Sequence, residues 1–174
     1  MITVIGAKGT IQDVEVFLQQ LLAFSTEENL VIQALDAAVV YGKDHLISAT
    51  QHAQRAFEQH TNSTNTLALE ILLYAAGERQ IQKAIKKMGV KKGKQTIAFV
   101  IVGKTKRSTK GKPFDTIRDS LLQMLALTGD DTVLEGTNDT LKRFGITDQE
   151  KRSVPEDHYG DLILEKIALV DVIK

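Results

Sequence analysis

The chain has 174 residues, 43% hydrophobic and 25% charged, and its 22 Lys or Arg balance 22 Asp or Glu to a formal net charge of zero. That length suits one domain spanning 1–174 and leaves no room for two comfortable ones. Cysteine is absent, which excludes disulfides and thiolate metal sites; no long apolar run could cross a bilayer, and the start MITVIGAKGT lacks the features of a secretory signal, so a cytoplasmic protein with no membrane role is expected.

In chain order, residues 1 to 5 predict a strand that ends at Gly6, and Thr10 with Asp13 resembles a capping box ahead of a helix. In that helix Ile11, Val14, Phe17, Leu18, Leu21 and Leu22 recur at helical spacing. The stretch NLVIQALDAAVVY, 29 to 41, reads as one or two strands, broken by Gly42. Asp44 is the expected cap of the next helix, whose inner stripe is Leu46, Ala49, Ala53, Ala56 and Phe57 and which the polar run His60 to Asn65 ends. A helix from near Thr66 is apolar on almost every face and should be central, with Glu70 as its one charge. Gly77 closes it and opens a second helix at Glu78, with Ile81, Ala84, Ile85 and Met88 inward and Gly89 just past the end.

QTIAFVIV, 95 to 102, is the clearest strand. A basic loop, GKTKRSTKGKP, then leads to a helix from Asp115 to about Leu127, a short strand near Val133 and a helix over 137 to 144. The last segment, YGDLILEKIALVDVIK, is assigned as helix. It has two apolar sides, Ile163, Ile167 and Val170 on one and Leu162, Leu169 and Ile173 on the other, so it calls for two things to pack against: its own core, and either more of that core or a partner. These elements predict an α/β protein of the α+β type, a small mixed sheet surrounded by helices.

Zero net charge conceals an asymmetry. Between Arg79 and Lys112 stand twelve Lys or Arg and no Asp or Glu. Clustering like charge is costly without a partner, so the segment is either a solvated basic face or a surface that meets an anion. Its focus is the glycine corner. The first-turn N–H groups of a helix starting at Glu78, with Arg79 and Lys83 one turn apart, could hold a phosphate, and Gln80 offers both a donor and an acceptor to a base edge or ribose hydroxyl. No aromatic residue lies within 75 to 94, so RNA held there would stack on Arg79 or an aliphatic side chain.

Other motifs fail on their own terms. Gly103-Lys104-Thr105 resembles the end of a nucleotide P-loop, but the required earlier glycine is Ala98, inside the predicted strand. Gly6 and Gly9 lack the rest of a dinucleotide fingerprint. His45, His52, His60 and His158 do not keep ligand spacing with a carboxylate or a third histidine, and no serine sits in a nucleophile elbow. No catalytic residue, metal site or cofactor is expected, and the protein reads as no enzyme.

Four stretches carry a family resemblance: Thr66-Leu-Ala-Leu-Glu70-Ile-Leu, Ala75-Ala-Gly77-Glu-Arg79-Gln80-Ile81, Ala84-Ile85-Lys-Lys-Met-Gly89-Val90, and Leu164-Glu-Lys-Ile167-Ala168-Leu169. Together with Gly42-Lys-Asp44-His45-Leu46, the chain resembles the archaeal kinase-binding subunit of the KEOPS complex, a relative of the PRPK-binding protein TPRKB. The similarity is clear over about residues 30 to 95 and at the C-terminus, and weaker from 103 to 160.

The resemblance implies a non-enzymatic subunit of the assembly that helps make threonylcarbamoyladenosine beside the anticodon of tRNAs reading codons that begin with A. Its implied partners are the small kinase/ATPase subunit and the single-stranded CCA end of tRNA, with a homodimer possible in isolation. Gly77, Arg79, Gln80 and Ile81 match the family motif tied to the tRNA end, with Lys83 added from the local charge; Ile163, Ile167 and Val170 are the expected kinase-docking face. Ile81 belongs to the inner stripe by periodicity and to the RNA by resemblance. Ala76 stands where many archaeal members have serine, and the loop 103 to 113 is more basic than the family requires, a possible second phosphate contact or a solvated loop. A free-standing RNA-binding protein, or a small nucleotide-binding enzyme, remains as the alternative.

Overall fold

The computed structural model describes residues 1–104 and 111–173. Its elements are β1 (Ile2–Ile11), α1 (Val14–Glu27), β2 (Leu30–Asp36), α2 (Lys43–Glu58), α3 (Leu67–Ala76), α4 (Ile81–Met88), β3 (Gly93–Gly103), α5 (Phe114–Met124), β4 (Thr128–Gly129), α6 (Asn138–Phe144), α7 (Asp148–Arg152) and α8 (Tyr159–Ile173). The strands lie in the order β2-β3-β1-β4. The α+β class is as the sequence indicates. Every pairing is antiparallel, however, so the sheet is not mixed.

The β1–β3 ladder runs in unbroken register from Ile2 opposite Val102 to Ile11 opposite Gly93. Side chains alternate between the two sheet faces, and both are covered. On one face Val4, Ala98, Val100 and Val102 pack with residues of α2, α3, α6 and α8. On the other, Ile5, Ala7, Ile97, Phe99 and Ile101 pack with α1 and α5, where the Phe17 and Phe99 ring centroids are 6.4 Å apart. Double coverage is why QTIAFVIV is nearly continuously apolar where a one-sided strand would alternate.

Several expected boundaries move, each for a local reason. β1 does not end at Gly6 but runs on through Gly9 to Ile11. A Cβ on Gly6 would lie 2.5 Å from the Asp130 carbonyl oxygen, so this glycine admits the incoming β4 segment and leaves the strand intact. Asp130 N–H donates to Gly6 O at 2.9 Å, and Gly6 N–H to Asp131 Oδ1 at 2.8 Å. Thr10 is therefore a strand residue, and Asp13 alone caps α1 by accepting from Val16 N–H at 3.1 Å.

The 29 to 41 stretch is one strand followed by a 3-10 turn over Ala37–Val39, which Asp36 caps. Gly42 precedes α2 without a side-chain cap; Asp44 sits in the first turn, where its charge complements the helix dipole. α5 stops at Met124, just before Ala126, which turns left-handed with φ 55. The strand expected near Val133 is a 3-10 turn over Asp131–Leu134, and the strand pairing falls a few residues earlier, at Thr128–Gly129. No helix among the described residues is long and apolar enough to cross a membrane.

Candidate functional site

α3 is the centre of the helical layer, and from Glu70 to Ala76 every residue is buried. Its one charge has a full set of donors. Glu70, 0% exposed, accepts from Ser63 N–H at 3.1 Å, Thr64 N–H at 2.9 Å and Thr64 Oγ1 at 2.7 Å, so the carboxylate holds the 60 to 65 segment against the start of the helix. Thr66 caps the first turn through Leu69 N–H.

The C-terminal end has a harder problem, because buried terminal carbonyls need donors. Gly77, at φ 65 and ψ 30, turns left-handed so that its N–H reaches Tyr74 O at 2.9 Å and Glu78 N–H reaches Leu73 O at 3.2 Å. His45 Nε2 donates to Ala75 O at 2.8 Å, a tautomer set by its Nδ1, which accepts Tyr41 N–H at 3.0 Å. Lys87 Nζ donates to Ala76 O at 2.7 Å while lying 3.8 Å from the centroid of Phe144. All four final carbonyls are thus satisfied, and the corner is fixed from beneath. Burial pushes the His45 imidazole down to about 4, so it is neutral near pH 7. Burial also lowers the Lys87 ammonium, opposed by nearby Glu78 and reinforced by Lys166.

The second helix starts later than its sequence suggests. α4 begins at Ile81 with Gln80 as its extended N-cap residue, so Arg79 lies before the helix, and Arg79 and Lys83 are not one helical turn apart. They nonetheless share the exposed rim of the corner with Gln80, whose side chain makes no cap bond. Arg79 Nη1 donates to Ile173 O at 3.2 Å, linking this rim to the last turn of α8. Ile81 is half-buried and packed against the core by one side, as periodicity requires. Ala84 and Met88 are buried as expected; Ile85 is not, at 47% exposed, because α4 rests on its neighbours by a single narrow face.

α8 corrects a second expectation. Ile163, Ile167 and Val170 are each 0% exposed and form part of the core beside α2 and α3, so they are packing residues and cannot meet a partner. The outward apolar residues of this helix are Leu169, Val172 and Ile173, at 42%, 77% and 45% exposed. Leu162, on the second apolar side in the sequence, is buried as well. Asp171 fixes the last turn: it accepts from the Tyr74 hydroxyl, and its Oδ2 lies 2.8 Å from His52 Nδ1, whose ring stacks on Tyr74 at 5.5 Å. Burial, then the hydrogen bond to Asp171, raises the Tyr74 hydroxyl well above its ordinary value.

Three of the four histidines have partners within the protein: His45 serves backbone groups, His52 meets Asp171, and His158 Nδ1 lies 2.8 Å from Asp161 Oδ2, which raises its pKa. Of the basic loop, Lys112 Nζ lies 2.6 Å from buried Glu28, so that cation is paired within the protein; Lys106, Arg107 and Lys110 lie outside the described residues. Lys87 and His45 are the supports of the α3 end that periodicity missed. The only sequence signal for His45 was its place beside Gly42 and Asp44, and for Lys87 only its membership of the basic segment and of the Ala84 to Val90 family stretch.

A search of curated proteins returns no match. The family model described as "Kinase binding protein CGI-121" matches residues 10–171, from the end of β1 to the last turn of α8. The chain belongs to that family.

Proposed function

We propose that this protein is the kinase-binding subunit of a KEOPS-type tRNA-modification complex, that it performs no reaction itself, and that it presents two surfaces: one for the kinase/ATPase subunit and one for the single-stranded CCA end of tRNA. Membership of a kinase-binding family supports the first. The outward side chains Leu169, Val172 and Ile173 supply its docking face, replacing the buried Ile163, Ile167 and Val170. The second rests on the corner, where Gly77, Arg79, Gln80, half-buried Ile81 and Lys83 share a rim whose backbone is held from beneath by His45 and Lys87.

The carrying observation is the Arg79–Ile173 hydrogen bond, which puts the cationic rim and the docking turn side by side. A tRNA end bound at one would lie next to a kinase bound at the other. The test is co-purification with the kinase subunit and tRNA binding by the same preparations. Val172→Glu is expected to abolish kinase capture without changing tRNA affinity. Arg79→Glu is expected to weaken tRNA binding and to flatten the dependence of log affinity on log salt by about 0.7 per lost phosphate contact. Retention of kinase by Val172→Glu together with full tRNA affinity in Arg79→Glu would reject both assignments.

A further inference from the structure

A second basic feature stands apart from the corner. The β1–β3 ladder is longer than the helical layer that covers one of its faces. Along that face the rows Val4–Val100 and Gly6–Ala98 lie in the core, and the next two rows, Lys8–Thr96 and Thr10–Lys94, carry polar side chains. They form the floor of an open trough of about 780 Å³, walled by Lys91 and Lys92 from the α4–β3 connection, by Asp36 and Ala38, and by Thr128 of β4.

Four lysines from two distant parts of the chain therefore face one concavity. Two have acidic neighbours at its edge: Lys8 Nζ lies 3.3 Å from Asp130 and Lys91 Nζ 3.8 Å from Asp36. Lys92 and Lys94 are exposed and make no ion pair among the described residues. The connection that carries them is organised, with Lys91 N–H donating to Gln95 Oε1 at 2.8 Å and Lys91 Nζ to Gly89 O at 2.9 Å. No aromatic side chain lines the trough, so it offers charge and hydroxyls to an anion and nothing for a base to stack on.

We infer that this trough is a phosphate-backbone site, taking a nucleic acid chain without regard to its sequence or its end, with Lys92 and Lys94 as the principal contacts and Lys8, Thr10 and Thr96 as the floor. An open trough lets a polymer run through, whereas a compact polyphosphate would leave much of it empty. The inference rests on the RNA reading of the protein for the class of ligand and uses none of the corner residues. RNA held at the corner would be positioned by its end, and RNA crossing the trough by its backbone alone.

The experiment compares two fluorescent RNA hairpins binding to the full chain at low salt, one with a single-stranded CCA tail and one blunt. The Lys92→Glu/Lys94→Glu variant, its fold checked by circular dichroism, is expected to bind the blunt hairpin at least about tenfold more weakly, with a shallower salt dependence, while Arg79→Glu binds it normally. Failure of the wild-type chain to bind the blunt hairpin, or equal binding by the double variant, would overturn the trough and leave the corner standing. Conversely, normal binding of the tailed hairpin by Arg79→Glu with loss in the double variant supports the trough and removes the corner. Displacement of the blunt hairpin by inorganic tripolyphosphate at matched charge would assign the site to a small polyphosphate and overturn the backbone reading.

Discussion

The two faces of the sheet are built by different chemistry. On the α1/α5 side the core is apolar side chain on apolar side chain, with Phe99 fully buried at its centre, and the buried polar residues Ser25 and Glu28 are confined to the C-terminal end of α1. On the α2/α3/α8 side the same depth of burial includes His45, Glu70 and the Tyr74 hydroxyl, each with defined polar partners. Burying polar groups gains little stability even when they are fully bonded, and losing a partner is costly. What the polar side gains is placement: those bonds hold the end of α3 and the last turn of α8, where the corner and the exposed apolar residues project. Around α3 and α8, part of the stability that burial supplies is converted into fixed geometry.

The contrast can be broken by mutation. Phe99→Ala should show the largest loss, about 4 kcal/mol in urea unfolding, with tRNA affinity of the folded fraction unchanged, because the face it empties touches neither surface. Acid should act on the opposite face. His45 has a folded pKa of about 4, below its unfolded value of 6.5, so its contribution is complete above pH 6.5 and is lost as the pH falls toward 4. The loss approaches about 3 kcal/mol and should be missing from the unfolding curves of His45→Gln compared over the same pH range.

Smaller changes sharpen the comparison. Gly77→Ala would hold a side chain at φ 65 with its Cβ 3.3 Å from Phe144 Cζ, and should cost about 1 to 2 kcal/mol in thermal unfolding while also weakening tRNA binding. Arg79→Glu should change stability by less than about 0.5 kcal/mol, since its hydrogen bond to Ile173 O is exposed, yet should produce the larger loss in RNA binding. A stability loss from Arg79→Glu matching that of Gly77→Ala would mean that the rim serves the fold and not a ligand.

Much of this architecture was legible because local signals agreed with the fold. Thr66 caps α3 and Gly77 ends it as their residue types require, and the apolar run from 95 to 102 marked β3 as the clearest strand, though not its place in the order. The corner residues were legible too, but their geometry was not. Helical periodicity does not distinguish a helix that starts at Glu78 from one that starts at Ile81, since the intervening residues fit either; the left-handed Gly77 followed by extended Gln80 decides it. At Gly6 the sequence signal pointed to a break, whereas the glycine answers to a backbone more than a hundred residues away.

By itself the sequence determined most of the alternation of elements, the Thr66 cap and Gly77 end of α3, the concentration of positive charge from Arg79 onward, and the family. These are properties of neighbours along the chain. Only the tertiary structure decided which apolar side of α8 meets its own core, that His45 and Lys87 complete the end of α3, and that Lys8 joins Lys91, Lys92 and Lys94 around one trough. Each of those depends on contacts between segments far apart in sequence, where a side chain's role is set by what the fold brings against it and not by its own type.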